Sequence, residues 1–166
     1  MSIELIVLDV DGTMTDGKIV YSQNGDEMKN FCVKDGLAIA SWVKLGKKVA
    51  IITGRSSKIV QRRADELGIA YLYQGVHNKM EVLKELLLEL NLELDNVASI
   101  GDDLNDYEML TSSKISFSPA NANHYILDIV NVVLSQEGGD GAVREMIEQL
   151  ILKDGLEEAY LKLWQQ

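Results

Sequence analysis

Short apolar runs rich in β-branched residues recur along this chain, and each pair of them is separated by enough residues for one helix. The runs fall at residues 3–10, 48–53, 69–73, 97–100, 115–117 and 132–134. Their middles are apolar at successive positions rather than at alternate ones, which is the pattern of a strand covered on both faces. Helical patterns occupy residues 37–45, 56–67, 79–90, 106–110 and 122–129 between them, and residues 142–152 and 154–164 after the last. Parallel strands need crossovers of this length, and the crossovers are right-handed. The expected fold class is α/β, a doubly wound parallel sheet of Rossmann-like type.

One stretch breaks the alternation. Residues 18–21 and 27–33 flank Gln23-Asn24-Gly25-Asp26, and Asn-Gly between strand-like runs predicts a β-hairpin with a type I′ turn. The hairpin projects from the sheet and carries Ile19, Tyr21, Met28, Phe31 and Val33. A lone two-stranded ribbon is marginal in water, and so large an apolar load predicts burial between subunits. Asp35 is placed to cap the helix that follows.

The 166 residues suit a single domain, residues 1–166, with 46% hydrophobic residues to build its core. The net charge of −10 and the absence of a basic run exclude nucleic acid as the expected partner. No stretch reaches transmembrane length, the first residues lack a basic leader region, and the one cysteine, Cys32, has no internal partner. These features predict a soluble, cytoplasmic protein with no membrane contact.

Polar residues cluster just past four of the predicted strand ends. They are Asp9-Val10-Asp11-Gly12-Thr13, Thr53-Gly54-Arg55, Lys79 at a helix start, and Gly101-Asp102-Asp103-Leu104-Asn105-Asp106. Open α/β sheets bind ligands at the carboxyl ends of their strands, so the fold gathers all four into one crevice. Asp9 and Asp11 lie two apart and point the same way in extended geometry. With Asp102, Asp103 and Asp106 they make a repulsive concentration of charge, which a hard divalent cation such as Mg²⁺ relieves. Lys79, Thr53 and loop amides beside such a cation suit a phosphate group, and a carboxylate near phosphorus can act as nucleophile.

These four segments, in this order, resemble the four motifs of the haloacid dehalogenase superfamily. The resemblance implies that Asp9 is the nucleophile and forms an aspartyl-phosphate. Asp11 protonates the leaving oxygen, then activates water, and lends its backbone carbonyl to the metal. Asp9, Asp11 and Asp102 hold Mg²⁺, with Asp103 and Asp106 acting behind them or through water. Thr53, Gly54 and Lys79 bind the transferring phosphoryl group.

The spans between Asp9 and Thr53 and between Thr53 and Lys79 leave no room for a cap domain. The chain is similar to the capless phosphatases of acidic sugar phosphates, through Asp9 to Gly17, the hairpin through Val33-Lys34-Asp35-Gly36, Thr53-Gly54-Arg55, Gln74-Gly75-Val76-His77-Asn78-Lys79, Gly101 to Asp106, and Gly138-Gly139-Asp140-Gly141-Ala142-Val143-Arg144-Glu145. That similarity implies a homotetramer joined through the hairpins and a substrate such as 3-deoxy-D-manno-octulosonate 8-phosphate, on the path to lipopolysaccharide. A nine-carbon keto-acid 9-phosphate is the alternative, and Arg55 favours the eight-carbon acid. A non-catalytic phospho-Asp signalling domain would place its acidic pair and phosphoacceptor on different strands. Arg55 and Arg144 are candidate contacts to the substrate carboxylate, since arginine binds carboxylates in bidentate fashion. The Gly-rich loop before Arg144 is expected to swing across the bound sugar acid.

Overall fold

The six apolar runs form one parallel sheet in the computed structural model, which describes residues 2–165. In chain order the strands and helices are β1 (Leu5–Leu8), β2 (Val20–Tyr21), β3 (Glu27–Met28), α1 (Val33–Lys44), β4 (Lys48–Ile52), α2 (Lys58–Leu67), β5 (Tyr71–Tyr73) and α3 (Lys79–Leu90). They continue with β6 (Val97–Ile100), α4 (Tyr107–Ser112), β7 (Ile115–Ser118), α5 (His124–Leu127), β8 (Val132–Val133), α6 (Ala142–Lys153) and α7 (Glu157–Lys162). The sheet order is β5-β4-β1-β6-β7-β8. The chain moves outward from β1 through β4 to β5, then returns to the other side of β1 at β6. The topological switch point therefore lies between β1 and β6, where their carboxyl ends open a crevice.

Period-two geometry divides the apolar runs between two cores. Ile6 and Leu8 of β1 join Val49 and Ile51 of β4 on one face, packed under α1, α2 and α6 through Ile39, Trp42, Ala64, Met146 and Ile147. Leu5 and Val7 join Ala50 and Ile52 on the other, under Leu83, Leu86 and Leu87 of α3 and Met109 of α4. Every residue of β1 is buried. Burial of each large aliphatic side chain contributes about 1.5–3 kcal/mol, and this two-sided coverage holds β1 rigid under the residues that follow it.

Local details depart from the sequence reading in three places. The hairpin pairs only Val20 with Met28 and Tyr21 with Glu27. Its turn is not type I′: Gly25 alone takes a positive φ, of 87°, and its N–H donates to the Ser22 carbonyl. The loop is thus one residue longer than a two-residue turn, with glycine in the left-handed position of a bulge. Phe31 packs against the core rather than on the open face of the ribbon. Val33, expected at the end of the hairpin, begins α1 instead, four residues before the expected helix start; α5 is a single turn, and α7 starts three residues later than the pattern suggested.

The third departure is Asp35. It does not cap α1, which begins at Val33 after Cys32; it lies inside the first turn and is buried. Its carboxylate instead accepts a hydrogen bond from the Arg144 N–H at 2.9 Å, in the first turn of α6. The N-cap of α6 is Gly141, which has no side chain to offer, so a neighbouring helix supplies the missing acceptor. Burial pushes the Asp35 carboxyl up to about 6, although the Arg144 N–H works against the shift. Because the folded pKa lies above the unfolded one, this group's stabilising contribution is full below the unfolded value near 3.8 and is lost as pH rises through about 6. Asp35→Asn keeps an acceptor but cannot titrate. Urea unfolding at pH 4.5 and 7.5 should show the variant gaining roughly 2 kcal/mol on the wild type over that interval. A pH-independent difference would mean that Asp35 does not titrate there.

Candidate active site

Strand pairing carries β1 one residue further, because the Asp9 N–H donates to the Ile100 carbonyl at 3.2 Å. The chain then coils tightly: the N–H groups of Thr13, Met14 and Thr15 all point at the Val10 carbonyl. Thr15 Oγ1 accepts from the N–H groups of Gly12 and Gly17, each at 3.2 Å. Gly12 sits at φ 95°, and a Cβ there would lie 2.0 Å from Asp102 Oδ2. Only glycine lets the loop after β1 approach the loop after β6 so closely. Gly138 makes the same accommodation from the other side, since its Cβ would fall 1.9 Å from the Gly12 carbonyl oxygen. The Gly139 N–H donates to the Thr13 carbonyl at 3.1 Å. The Gly-rich loop is thus docked on the loop after β1, where its glycines allow this close packing.

Beneath these loops lies a buried ion cluster. Lys79 Nζ, at the first residue of α3, is 2.6 Å from Asp9 Oδ1 and 2.5 Å from Asp106 Oδ1. Asp9, Lys79 and Asp106 are 4%, 3% and 0% exposed, so each charge depends on the others for compensation. The second oxygen of Asp106 accepts from the N–H groups of Asp102 and Asp103, at 3.0 and 3.3 Å. Asp106 therefore fixes both the lysine and the loop after β6.

Carboxylate oxygens of Asp9, Asp102 and Asp106 come within 4.8 Å of one another, a spacing that fits a cation. Both Asp106 oxygens are already engaged, which leaves Asp9 and Asp102 as the free pair. Thr13 Oγ1 holds one oxygen of Asp102 at 3.2 Å. Burial pushes the Asp9 carboxyl well up, reinforced by Asp106 and opposed by Lys79. Burial likewise raises Asp102 to about 6. Lys79 keeps its proton because Asp9 and Asp106 outweigh its own burial. One ammonium among three carboxylates leaves an excess of negative charge, which suits a hard divalent cation on oxygen ligands.

Above the cluster, Asp9, Asp11, Thr53, Gly54, Arg55, Asp102, Asp103 and Asn105 line an open cleft of about 180 Å³. Thr53 is buried at the end of β4, and Asp103 accepts from the Leu104 N–H at 2.8 Å to cap the turn behind the cleft. The hairpin reaches two of these lining residues, Asp11 and Arg55. Lys29 Nζ is 2.5 Å from Asp11 Oδ1 and 3.1 Å from Glu27 Oε1. Arg55 reaches Glu27 at 3.4 Å, the Tyr21 hydroxyl at 3.2 Å and Asp11 Oδ2 at 3.9 Å.

Nine of the ten residues singled out from the sequence thus meet at the switch point. Arg144 does not: it lines a separate hollow of about 380 Å³ with Lys34 and Asp140, and its Nε pairs with Glu148 at 2.7 Å. Lys29, Glu27, Tyr21 and Thr13 were missed. The signal for two of them was present, since Glu27 and Lys29 are two apart and share one face of a ribbon. Where that face would point was not.

A doubly wound sheet with no cap among the described residues, presenting Asp9 and Asp102 beside a buried lysine at its switch point, defines a class before any relative is considered. A family model of the haloacid dehalogenase-like hydrolases matches residues 70–147, which carry Lys79 and the Asp102–Asp106 loop. The chain belongs to the haloacid dehalogenase-like hydrolases. It is 42% identical over 159 residues to the 3-deoxy-D-manno-octulosonate 8-phosphate phosphatase of Salmonella typhi, covering 95% of this chain and 85% of that protein. The crystal structure of the enzyme of that name from Moraxella catarrhalis, with magnesium ion, phosphate ion and the sugar acid bound, superposes with a TM-score of 0.95 at 38% identity. The match covers 98% of this chain and 94% of that one. A cobalt-bound structure from Haemophilus influenzae matches with a TM-score of 0.89 at 36% identity, over 93% of this chain and 90% of that one.

The Gly12–Asp102 approach yields a direct test. Gly12→Ala should push the Asp102 carboxylate aside and weaken apparent Mg²⁺ affinity at least ~10-fold, the scale seen when a ligand's support is disturbed. Isothermal titration of Mg²⁺ into both proteins measures this, and equal affinities would show that Asp102 is not held by that contact.

Proposed function

We propose that this protein is an Mg²⁺-dependent phosphomonoesterase that converts 3-deoxy-D-manno-octulosonate 8-phosphate to the free sugar acid and phosphate, in the synthesis of a lipopolysaccharide precursor. The observation that carries the reading is the buried Asp9 at the switch point. One of its oxygens is tied to Lys79 and the other faces the cleft beside Asp102. Similarity to phosphatases of this substrate along 95% of the chain supports the choice of sugar acid.

In this reading the free oxygen of Asp9 attacks phosphorus, the bond from phosphorus to the sugar oxygen breaks, and that oxygen takes a proton from Asp11. Water then attacks the aspartyl-phosphate, Asp11 takes its proton, and the bond to Asp9 breaks to release phosphate. Asp9, Asp102 and the Asp11 backbone carbonyl would hold Mg²⁺, which supplies positive charge to the transferring group when bound. Lys79 does the same from below, while Thr53 and Gly54 offer a hydroxyl and an N–H to the phosphoryl oxygens. Asp103 and Asp106 shape the loop that presents Asp102. Arg55, on the rim, is placed to exchange its Glu27 contact for the carboxylate of the sugar acid.

The same reading makes the protein a cytoplasmic homotetramer assembled through the hairpins. Among the described residues no helix is long and apolar enough to cross a membrane. Val20, Tyr21, Met28 and Val33 expose apolar surface on or beside the two-residue strands, and Val33 is 79% exposed. Val20→Glu with Met28→Glu alters a cross-strand pair on that open surface and should dissociate the assembly. Light scattering checks this, and an unchanged mass would place the subunit contacts elsewhere.

Asp9→Asn should lower turnover of the sugar-acid phosphate on the order of 10³-fold or more with its circular dichroism unchanged, because the amide is a poor nucleophile of the same shape. Near-normal turnover in the folded variant would sink the assignment. Phosphate release from the eight-carbon 8-phosphate and from a nine-carbon 9-phosphate, each with Mg²⁺ and after chelation, fixes the substrate. Preference for the nine-carbon acid would correct the sugar, and full activity after chelation would remove the metal.

A further inference from the structure

Asp9 and Asp11 leave β1 two residues apart, yet their carboxylates end in different surroundings. Asp9 belongs to the buried cluster with Asp102 and Asp106, whereas Asp11 lies outside that cluster. What receives the Asp11 carboxylate is a single cation from the hairpin. Lys29 Nζ is 2.5 Å from its Oδ1, closer than Arg55 Nε, which stands 3.9 Å from Oδ2. The Lys29 side chain is 1% exposed, against 21% for Asp11 and 19% for Glu27. A lysine side chain so covered gives up its hydration, and it does so here beside two carboxylates that replace it. The cost has no evident return in hairpin folding alone, since β2 and β3 pair only two residues each.

We propose that Lys29 is a positioning residue for the phosphatase chemistry: it occupies Asp11 Oδ1 and so leaves Oδ2 as the oxygen that exchanges the proton with the leaving group. This rests on the reading of Asp11 as the acid and base of the reaction. The geometry supplies a reason for the division of labour between two neighbouring aspartates. Without Lys29 the Asp11 carboxylate keeps only the longer 3.9 Å pairing with Arg55, and it is then able to turn to the cation site beside Asp9 and Asp102, where it would become one more ligand instead of a proton carrier. Glu27 completes the arrangement. It gives Lys29 a second counter-charge at 3.1 Å, so the ammonium stays compensated while Asp11 carries its proton, and the protonated carboxyl still offers a carbonyl oxygen to Lys29. Seating of the hairpin on the cleft and orientation of the acid then become one event, because Lys29 reaches Asp11 only from a docked ribbon.

The test uses leaving groups that differ in their need for a proton but ask little of sugar recognition. The phenolate of p-nitrophenyl phosphate leaves readily without protonation, whereas that of phenyl phosphate benefits from it. Because kcat/KM reports transfer to Asp9 and not the later hydrolysis, the ratio of the two values isolates the acid's work. In Lys29→Met the ratio of p-nitrophenyl to phenyl phosphate should rise at least ~10-fold over the wild type, within the range that positioned acid catalysis contributes. Lys29→Arg, which keeps a cation at the site, should restore most of the wild-type ratio. An unchanged ratio in Lys29→Met, whether or not the absolute rates fall together, overturns the proposal and leaves Lys29 a structural residue. If Lys29→Met does not fold, the same comparison is made with Lys29→Gln, with the same outcome required. A wild type that hydrolyses no phosphomonoester at all would instead overturn the phosphatase reading on which the inference stands.

Discussion

The ammonium of Lys79, buried between Asp9 and Asp106, is the contact around which the site is arranged. It joins the start of α3 to the residue after β1, 70 positions away, and to the helical turn between β6 and α4, 27 positions away. Asp106 passes the constraint on, because its other oxygen gathers the N–H groups of Asp102 and Asp103. Removing one partner from a buried ionic group of this kind costs about 3–5 kcal/mol, because the remaining charges are left without compensation. Even intact, the cluster is short of positive charge. Burial first, and the neighbouring carboxylates after it, hold the Asp9 and Asp102 carboxyls above the usual range, which suits the pair to a divalent cation and, in turn, to a phosphoryl group.

Close backbone approach is the second condition. Three loops, after β1, after β6 and before α6, meet with so little space that Gly12 and Gly138 have no room for a Cβ. Glycine here trades conformational entropy for proximity. Asp35 reinforces the same junction from below by accepting from the Arg144 N–H, which ties α1 to the start of α6. A hairpin of only two paired residues per strand then anchors to the cleft's Asp11 and Arg55 through Lys29, Glu27 and Tyr21. The polar ends of the ribbon serve the cleft, and its apolar surface remains free for neighbouring subunits in the proposed assembly.

Much of this was legible in the residues. Periodicity fixed the strand and helix alternation because a strand buried on both faces must be apolar at successive positions, and the bounds of α3 and β6 agree with the sequence reading to the residue. The site residues that follow strand ends were found because a parallel sheet delivers all its carboxyl ends to one edge. Arg144 lies away from the cleft of its own chain, and a motif position does not say whether such a residue serves its own site or a neighbouring subunit's. Asp35 was read as a cap of its own helix because local sequence offers only local acceptors, while the true donor lies in another helix.

Sequence alone determined the class of chemistry, because its carboxylates, lysine and threonine stand at strand ends in the order that resembles the four motifs of the family. Tertiary structure decided the division of roles among those carboxylates. Asp9 faces the cleft over Lys79, Asp106 spends both oxygens on the framework, and Asp11 is received by Lys29 of the hairpin. The reason is physical. An aspartate's role depends on its burial and on which charges stand within a few ångströms, and those neighbours come from chain segments that only folding brings together.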